Sequence, residues 1–421
     1  MTHDLRERPS QLESELPTAA ENSGILRSVA PPSMPPVRAE VDLDAVVANA
    51  KDVQALVGPA RGVLAVLKAD AYGHGLVPVA RALERDGTVA ALVVSSVNDA
   101  LTLRGHSIEL PIIALACHFG HKHGALLDAG ITPVLASQAD LEAFSRAARR
   151  RGSRVKAQVE IDTGMSRSGL REEDIEAFLR AVAQQTEVSI DGLCTQLASA
   201  DTEPPTSAHR QLDVFERVCA RFRAAGHQLA MIHAANTAAT FRLPRSHFTH
   251  VRAGIALFGG DEPSGAVLRA AMRVTTHVVQ LRSLAAGESV SYGEAWTATR
   301  ATQIATLPVG YAHGYPRRLV GRAEVIVRGR RCPIVGSICM EMMMVDVTGV
   351  DVEVNDEVVL IGADGEAEIR LTELARAMGG IVEEILCFIP KSAVANYFSS
   401  YTAFRDSSEL EETPSSEKPR S

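Results

Sequence analysis

Short runs of apolar residues recur at regular intervals between residues 63 and 258. Several runs are nearly continuous rather than alternating with polar residues, which is typical of strands buried on both faces. Most of the intervals between them carry an amphipathic pattern with helical spacing. Ser137, for example, precedes the segment LEAFSRAARR and is a suitable N-cap. The runs lie at 63–67, 89–94, 111–116, 131–135, 155–161, 190–197, 229–233 and 250–258.

Eight such strand–helix units in succession favour an α/β protein with a (β/α)8 barrel of the TIM type. Periodicity alone leaves an open doubly wound sheet as an alternative. After about residue 272 the pattern changes to short strand-like runs separated by Gly- and Asp-rich turns, with one helix near 371–378. We therefore expect a barrel domain over 37–271 and a mostly β C-terminal domain over 272–401.

The two ends of the chain, 1–36 and 402–421, carry too few apolar residues to offset the entropy of ordering, so we expect disordered tails. The net charge of −8 argues against nucleic acid or an anionic membrane as the main partner. The six cysteines include no Cys-x-x-Cys pair, which favours free thiols over a disulfide framework, and we expect no metal site. Without a secretory h-region or an apolar span, a cytoplasmic protein is expected.

Lys68 directly follows the apolar run 63–67 and begins the string KADAYGHG. In a barrel this position is the carboxyl end of a strand, where active sites are built. We expect a lysine leaving a buried strand to be desolvated, which favours the neutral, nucleophilic amine. On spacing alone, a lysine in an ordinary rim turn remains an alternative.

The longer string AVLKADAYGHG resembles the cofactor-lysine motif of alanine racemases, which use pyridoxal 5′-phosphate (PLP). The resemblance continues in the family's order through RAEVDLDAVVANA, DTGMSRSGL, HAANTAAT, VRAGIALFGG, SYGEAW, LPVGYAHGYPR and VGSICME, and it spans about residues 38–390. It implies a (β/α)8 barrel followed by a mostly β domain, a homodimer and an isomerase that racemises a small amino acid. L-alanine to D-alanine, for peptidoglycan precursors, is the first choice.

The resemblance also implies roles for single residues. Lys68 would hold PLP covalently. Tyr72, Thr237 and the backbone amides of Gly254 and Ile255 would bind the cofactor phosphate, because a phosphate dianion needs several hydrogen-bond donors.

Arg252 matches the arginine that faces the pyridine nitrogen of the cofactor. Because a guanidinium keeps its proton, the cofactor is a weaker electron sink there, which restrains side reactions such as transamination. Asn236 and Gln196 complete the implied cofactor contacts.

Tyr292 matches the second acid/base of the family. Racemisation removes the α-proton from one face and returns one to the other, so one base on each face, Lys68 and Tyr292, meets the need. Arg167 and the amide of Met340 match contacts to the substrate carboxylate, and Tyr311 matches a tyrosine at the substrate entrance. The family's head-to-tail dimer implies that each active site takes Lys68 from one chain and Tyr292 from the other.

Four positions depart from the family pattern. Glu160 stands where many members carry a carbamylated lysine; it is already anionic but shorter. Gln196 replaces a histidine and can still accept a hydrogen bond from Arg252. Glu341 replaces an aspartate, and Lys391 falls by gapless counting at a phosphate-contacting tyrosine.

These departures leave the substrate open. A racemase for serine or with broad specificity remains an alternative, and so does a non-catalytic PLP-binding homologue. A PLP decarboxylase on the same barrel is disfavoured by Arg252, since such enzymes place a carboxylate at the pyridine nitrogen. Racemisation by two thiols without a cofactor would need a cysteine pair at one site, which the scattered cysteines do not suggest.

Overall fold

The computed structural model describes residues 35–115, 122–260, 268–388 and 393–400. The expected tails, apart from residues 35 and 36, and Lys391 lie outside the described residues. The first strand, β1 (Arg38–Asp42), leads directly into helix α1 (Leu43–Val57). The carboxylate of Asp42 caps this helix by accepting a hydrogen bond from the Ala45 amide at 3.0 Å.

Eight parallel strands of the described chain form a nearly closed barrel, as the sequence predicted. Each strand from β2 to β7 pairs with the next one along the chain, and β2 also pairs with β9, so that β8 and β9 are the two ends of the sheet. Two backbone hydrogen bonds cross the gap between β8 and β9. The Thr249 amide donates to the Ile232 carbonyl at 3.1 Å, and the Arg252 amide donates to the Ala235 carbonyl at 2.9 Å. The strands are β2 (Gly62–Val66), β3 (Ala91–Val94), β4 (Ile112–Ala114), β5 (Thr132–Leu135), β6 (Val155–Ile161), β7 (Val188–Thr195), β8 (Met231–His233) and β9 (His250–Ala253).

Helical segments connect these strands, so that the carboxyl ends of all the strands meet at one rim. The predicted cap at Ser137 is confirmed, because its hydroxyl accepts a hydrogen bond from the Asp140 amide at 3.1 Å. The segments are α2 (Lys68–Tyr72), α3 (Leu76–Asp86), α4 (Val97–Gly105), α5 (His123–Asp128), α6 (Gln138–Arg151), α7 (Ile175–Ala183), α8 (Thr206–Ala224) and α9 (Thr237–Arg242). No helix of the described residues has the length and apolar character to cross a membrane.

The C-terminal part is mostly β structure, as predicted. In the described residues it forms one large sheet and the small β12–β13 pair. The strands are β10 (Met272–His277), β11 (Gln280–Leu284), β12 (Ser289–Val290), β13 (Trp296–Thr297), β14 (Thr302–Leu307), β15 (Glu324–Val327), β16 (Arg330–Val335), β17 (Met343–Asp346), β18 (Glu357–Asp364), β19 (Ala367–Ile369) and β20 (Val394–Phe398).

Two features of this part differ from the sequence reading. The strand β1 pairs antiparallel with β10 and parallel with β20, so the start of the expected barrel segment belongs to the large sheet. A second helix, α11 (Val382–Phe388), follows the predicted helix α10 (Leu371–Met378). The prediction of a single helix is therefore wrong, because seven residues give too short a periodic signal and packing of the buried Ile385 and Leu386 stabilises α11 instead.

Candidate active site

The chain turns sharply beyond the end of β2. The four residues from Ala69 to Tyr72 all have positive φ, between 52° and 57°, so they form a left-handed turn. This conformation costs L-residues roughly 1–2 kcal/mol each, so contacts with the surrounding structure must hold it. One such contact is the carboxylate of Asp70, which accepts a hydrogen bond from the Leu76 amide at 2.7 Å.

Lys68 lies at the mouth of the barrel, with its Nζ 5.5 Å from the centre of the Tyr72 ring. The expectation that this lysine is desolvated is wrong for the single chain, where its side chain is exposed. The preceding Leu67 is fully buried, but a long lysine side chain one residue further reaches solvent.

A cradle of hydrogen-bond donors forms where three chain segments meet near this turn. The Thr237 hydroxyl accepts weak hydrogen bonds from the amides of Gly254 at 3.2 Å and Ala256 at 3.4 Å, which leaves its own proton free to donate. The Tyr72 hydroxyl lies so close to Gly254 that an added Cβ there would be 2.5 Å away. Burial, followed by the negative charge of Glu383, raises the pKa of Tyr72, so its hydroxyl stays a donor. This donor set fits a phosphate.

Asn236 has a structural role at the edge of the cradle. Its side-chain oxygen accepts a hydrogen bond from the Ala239 amide at 3.0 Å and caps α9, the helix that begins with Thr237. The cap therefore fixes the position of the Thr237 hydroxyl.

Arg252 is buried at the end of β9, and its guanidinium meets acceptors on two sides. One terminal nitrogen donates to the ring Nδ1 of His233 at 2.8 Å and to the His233 carbonyl at 2.9 Å. The other donates to the carbonyls of Thr195 at 2.8 Å and Ala234 at 3.1 Å, and to the side-chain oxygen of Gln196 at 3.1 Å. The hydrogen bond predicted between Arg252 and Gln196 is therefore present.

His233 is a buried partner of Arg252 that the sequence reading missed. Because a guanidinium only donates, Nδ1 of His233 must accept, and the ring proton must sit on Nε2. That nitrogen donates to the side-chain oxygen of Gln158 at 2.8 Å. Burial first, and then the charge of Arg252, hold the pKa of His233 well below its ordinary value, so the ring is neutral. His233 begins the HAANTAAT string, but nothing in the sequence indicated that Gln158, 75 residues earlier, would be its hydrogen-bond partner.

Glu160 lies near the carboxyl end of β6, and Arg167 lies in the loop that follows this strand. No ion pair joins them in the part of the chain that the structure describes, and Arg167 is exposed. Both still act on Arg252: burial lowers the pKa of Arg252, the Glu160 carboxylate raises it, and the Arg167 charge lowers it. The segment between them is held by Asp162, whose carboxylate accepts from the amides of Gly164 at 3.0 Å and Ser166 at 2.9 Å.

Tyr292 lies on the C-terminal part of the chain, and its side chain is 76% exposed. Two hydrogen bonds join Tyr292 and its neighbour Ser291 to the segment after β16. The Ser337 hydroxyl donates to the Tyr292 carbonyl at 3.3 Å, and the Ser291 hydroxyl donates to the Ser337 carbonyl at 2.9 Å.

Tyr311 and Met340 lie beside the same segment. The Tyr311 amide donates to the Cys339 carbonyl at 3.1 Å, and the Ala312 amide donates to the Met340 carbonyl at 2.8 Å. The structure thus brings Tyr292, Tyr311 and Met340 to one exposed surface of the C-terminal part. None of the hydrogen bonds or ring contacts of the described residues joins this surface to Lys68 of the same chain.

Tyr397 is a neighbour of the cradle that the sequence did not indicate. It lies on β20, and its hydroxyl is so close to Gly75 that any side chain at Gly75 would overlap it. The contact predicted for Lys391 falls outside the described residues, so it stays a prediction.

Comparison with known proteins agrees over both parts of the chain. Residues 41–262 match the family model described as alanine racemase, N-terminal domain, and residues 271–397 match that of the C-terminal domain. The chain is 41% identical over 375 residues to the alanine racemase of Symbiobacterium thermophilum, covering 88% of this chain and 99% of that relative.

Two solved structures extend the comparison to the fold. The alanine racemase from D-cycloserine-producing Streptomyces lavendulae matches with a TM-score of 0.82 at 32% identity, covering 86% of this chain and 97% of that one. The alanine racemase from Bartonella henselae, described with covalently bound pyridoxal phosphate, matches with a TM-score of 0.76 at 30% identity, covering 87% and 100%.

Proposed function

Because the chain belongs to the alanine racemase family, we propose that it uses PLP to interconvert L-alanine and D-alanine. The observation that carries the proposal is the barrel mouth itself. A strand-end lysine, a buried guanidinium and a cradle of phosphate donors lie at one rim. The residues present fit the cofactor's phosphate, ring nitrogen and aldehyde carbon.

Each part of the cofactor would have its own partner. Lys68 would hold it covalently, and Tyr72, Thr237 and the amides of Gly254 and Ile255 would bind the phosphate. When bound, PLP supplies an electron sink that makes the α-proton of an amino acid acidic. Arg252 offers the ring nitrogen a hydrogen bond and keeps its own proton, which restrains transamination.

Two bases would move the protons. Nζ of Lys68 takes or returns the α-proton on one face, and the Tyr292 oxygen does so on the other. Arg167 and the Met340 amide would orient the substrate carboxylate, and Tyr311 would narrow the entrance. A narrow entrance favours alanine first and serine second; broad specificity is the alternative that the departures at Glu160 and Glu341 keep open.

We also propose a head-to-tail homodimer with shared sites. Lys68 is exposed in the single chain, and four apolar side chains cluster in exposed positions on the C-terminal part: Tyr292, Tyr311, Met340 and Met342. Exposed apolar clusters of this kind favour a protein interface. A two-fold partner would place this surface over the barrel mouth and complete both sites at once.

The direct test is a racemisation assay on the purified chain with added PLP. L-amino acids with small, long and charged side chains are incubated, and the products are separated by chiral chromatography. The proposal expects D-alanine as the main product and a label on Lys68 after borohydride reduction and peptide mapping. Faster turnover of lysine or arginine would move the chain to a broad-specificity class, and no turnover with full PLP binding would favour a non-catalytic homologue.

A further inference from the structure

His74 is a fully buried imidazole that the proposed chemistry does not use. Its Nδ1 lies 3.0 Å from the Tyr72 carbonyl and 3.2 Å from the Ala71 carbonyl. Because carbonyl oxygens only accept, Nδ1 must carry the ring proton and donate to both. Both carbonyls belong to the left-handed turn that follows Lys68, so His74 ties down an unfavourable backbone segment from within.

The second nitrogen of the ring has no such role. Nε2 of His74 is buried and makes no hydrogen bond within the described residues. Burial lowers the pKa of His74 to about 4, so the ring is neutral at physiological pH. Among the described residues, His74 therefore makes its side-chain hydrogen bonds through the Nδ1 donor.

The ring also bridges two parts of the candidate site. It stacks on Phe258 with centroids 4.3 Å apart and planes at 27°, and the Tyr72 ring contacts the same phenyl group at 5.3 Å. Phe258 ends the 3₁₀ turn Ile255–Phe258, which begins directly after Gly254. His74 thus connects the turn carrying Lys68 and Tyr72 with the loop that supplies the cradle amides.

We infer that His74 is a positioning residue: its Nδ1 donor holds the left-handed turn that aims Lys68 and the Tyr72 hydroxyl, and its ring fixes that turn against the loop ending at Phe258. The consequence for PLP binding rests on the proposed function. The consequence for the backbone of the turn does not, because it follows from the contacts of the chain alone.

Two substitutions separate the donor from the ring. His74→Asn places an amide N–H near the position of Nδ1 and removes the ring, and no hydrogen bond of Nε2 is lost. His74→Phe keeps a ring on Phe258 and removes the donor. The matched control is His227→Phe: His227 contacts the ring of Phe222 at 5.5 Å, after α8 and away from the candidate site.

Two measurements on the full chain read the outcome. The first is hydrogen–deuterium exchange of the peptide covering 68–76 in the cofactor-free protein, and the second is the dissociation constant for PLP. His74→Phe leaves the buried Tyr72 carbonyl without the Nδ1 donor and the Ala71 carbonyl with backbone donors alone. This variant should therefore exchange faster in this peptide and bind PLP about ten-fold more weakly or worse. His74→Asn keeps a donor and loses the ring contact, so its exchange and its PLP binding should lie between those of the wild type and of His74→Phe. The control should stay within about three-fold of the wild type.

Wild-type exchange in His74→Phe would overturn the inference. So would an Asn variant as impaired as the Phe variant, because the donor would then not be the determinant. If His74→Phe fails to fold, the Asn variant and Phe258→Leu decide the question. Faster exchange than in the wild type is expected in both, because each removes the ring contact, and wild-type exchange in both would overturn the inference. A wild-type protein that does not bind PLP would contradict the proposed function alone, since the exchange comparison needs no cofactor.

Discussion

Replacing Gln158 should test whether the buried hydrogen bonds that link Gln158, His233 and Arg252 support both the stability of the protein and its activity. Gln158 is 1% exposed, and its oxygen is the acceptor for Nε2 of His233 at 2.8 Å. In Gln158→Leu the buried N–H loses its acceptor. Moving the ring proton to Nδ1 does not rescue it, because Nδ1 would then point a proton at the Arg252 guanidinium, which also donates.

The size of the effect follows from the contacts. An orphaned buried donor costs about 1–3 kcal/mol of unfolding free energy. The ring of His233 supplies one of five acceptors of Arg252, so the guanidinium keeps most of its support. We therefore expect kcat to fall about five-fold, which corresponds to roughly one hydrogen bond of 1 kcal/mol.

Urea unfolding and racemisation kinetics measure the two effects. The matched control is Met231→Leu, which removes the sulfur that accepts from the other end of the Gln158 amide at 3.3 Å. It leaves the acceptor of His233 in place, so it should lower the unfolding free energy but not kcat. In Gln158→Glu, a carboxylate beside the ring raises the pKa of His233, so activity should be lost as the pH falls and recovered as it rises. Wild-type stability and kcat in Gln158→Leu would refute the reasoning.

Three further predictions concern other parts of the site. Mixing Lys68→Ala chains with Tyr292→Phe chains, each severely impaired alone, should restore about a quarter of wild-type activity. The reason is that half of the dimers are mixed and each mixed dimer holds one intact site of two. Verified subunit exchange without recovery would show that the two bases are not shared between chains. Glu160→Gln should lower activity about three-fold or more and leave it independent of bicarbonate, because the negative charge that acts on Arg252 is lost. Unchanged kinetics would count against a role for this anion. The unfolding free energy should fall by about 3 kcal/mol through His74 as the pH drops from 6.5 to about 4, because the histidine of the unfolded chain takes up a proton that the buried ring does not. Urea titrations at both pH values should show this pH-dependent loss in the wild type and not in His74→Asn.

The barrel and the position of Lys68 could be predicted because buried strands leave a recognisable pattern of apolar residues in the sequence. A strand covered on both faces must be apolar throughout, and the first polar residue beyond it marks the rim. The left-handed turn could not be predicted in this way. Ala69 to Tyr72 contain no glycine, and no local preference favours positive φ for alanine or tyrosine. Only contacts formed in the folded chain, such as those of His74, hold the turn.

The network behind Arg252 was hidden for a related reason. Gln158 and His233 lie on strands among apolar neighbours, and a single buried polar residue in such a strand has no characteristic pattern. Their hydrogen bond forms because the fold brings these side chains of β6 and β8 together, although the two residues are 75 positions apart in the sequence. Pairings at that sequence distance depend on strand register, and a strand that is apolar on both faces has no alternation from which its register can be predicted.

Charge explains why His233 is unsuited to be the second base of the proposed reaction. Protonating His233 would place a second cation 2.8 Å from the Arg252 guanidinium. At an effective dielectric constant near 20 this repulsion is about 6 kcal/mol, or roughly four powers of ten in the proton equilibrium. Both ring nitrogens are also engaged, one accepting from Arg252 and one donating to Gln158. His233 therefore cannot exchange a proton with a substrate near neutral pH. The exposed hydroxyl of Tyr292, which we propose enters the barrel mouth of another chain, has neither restriction and can exchange a proton.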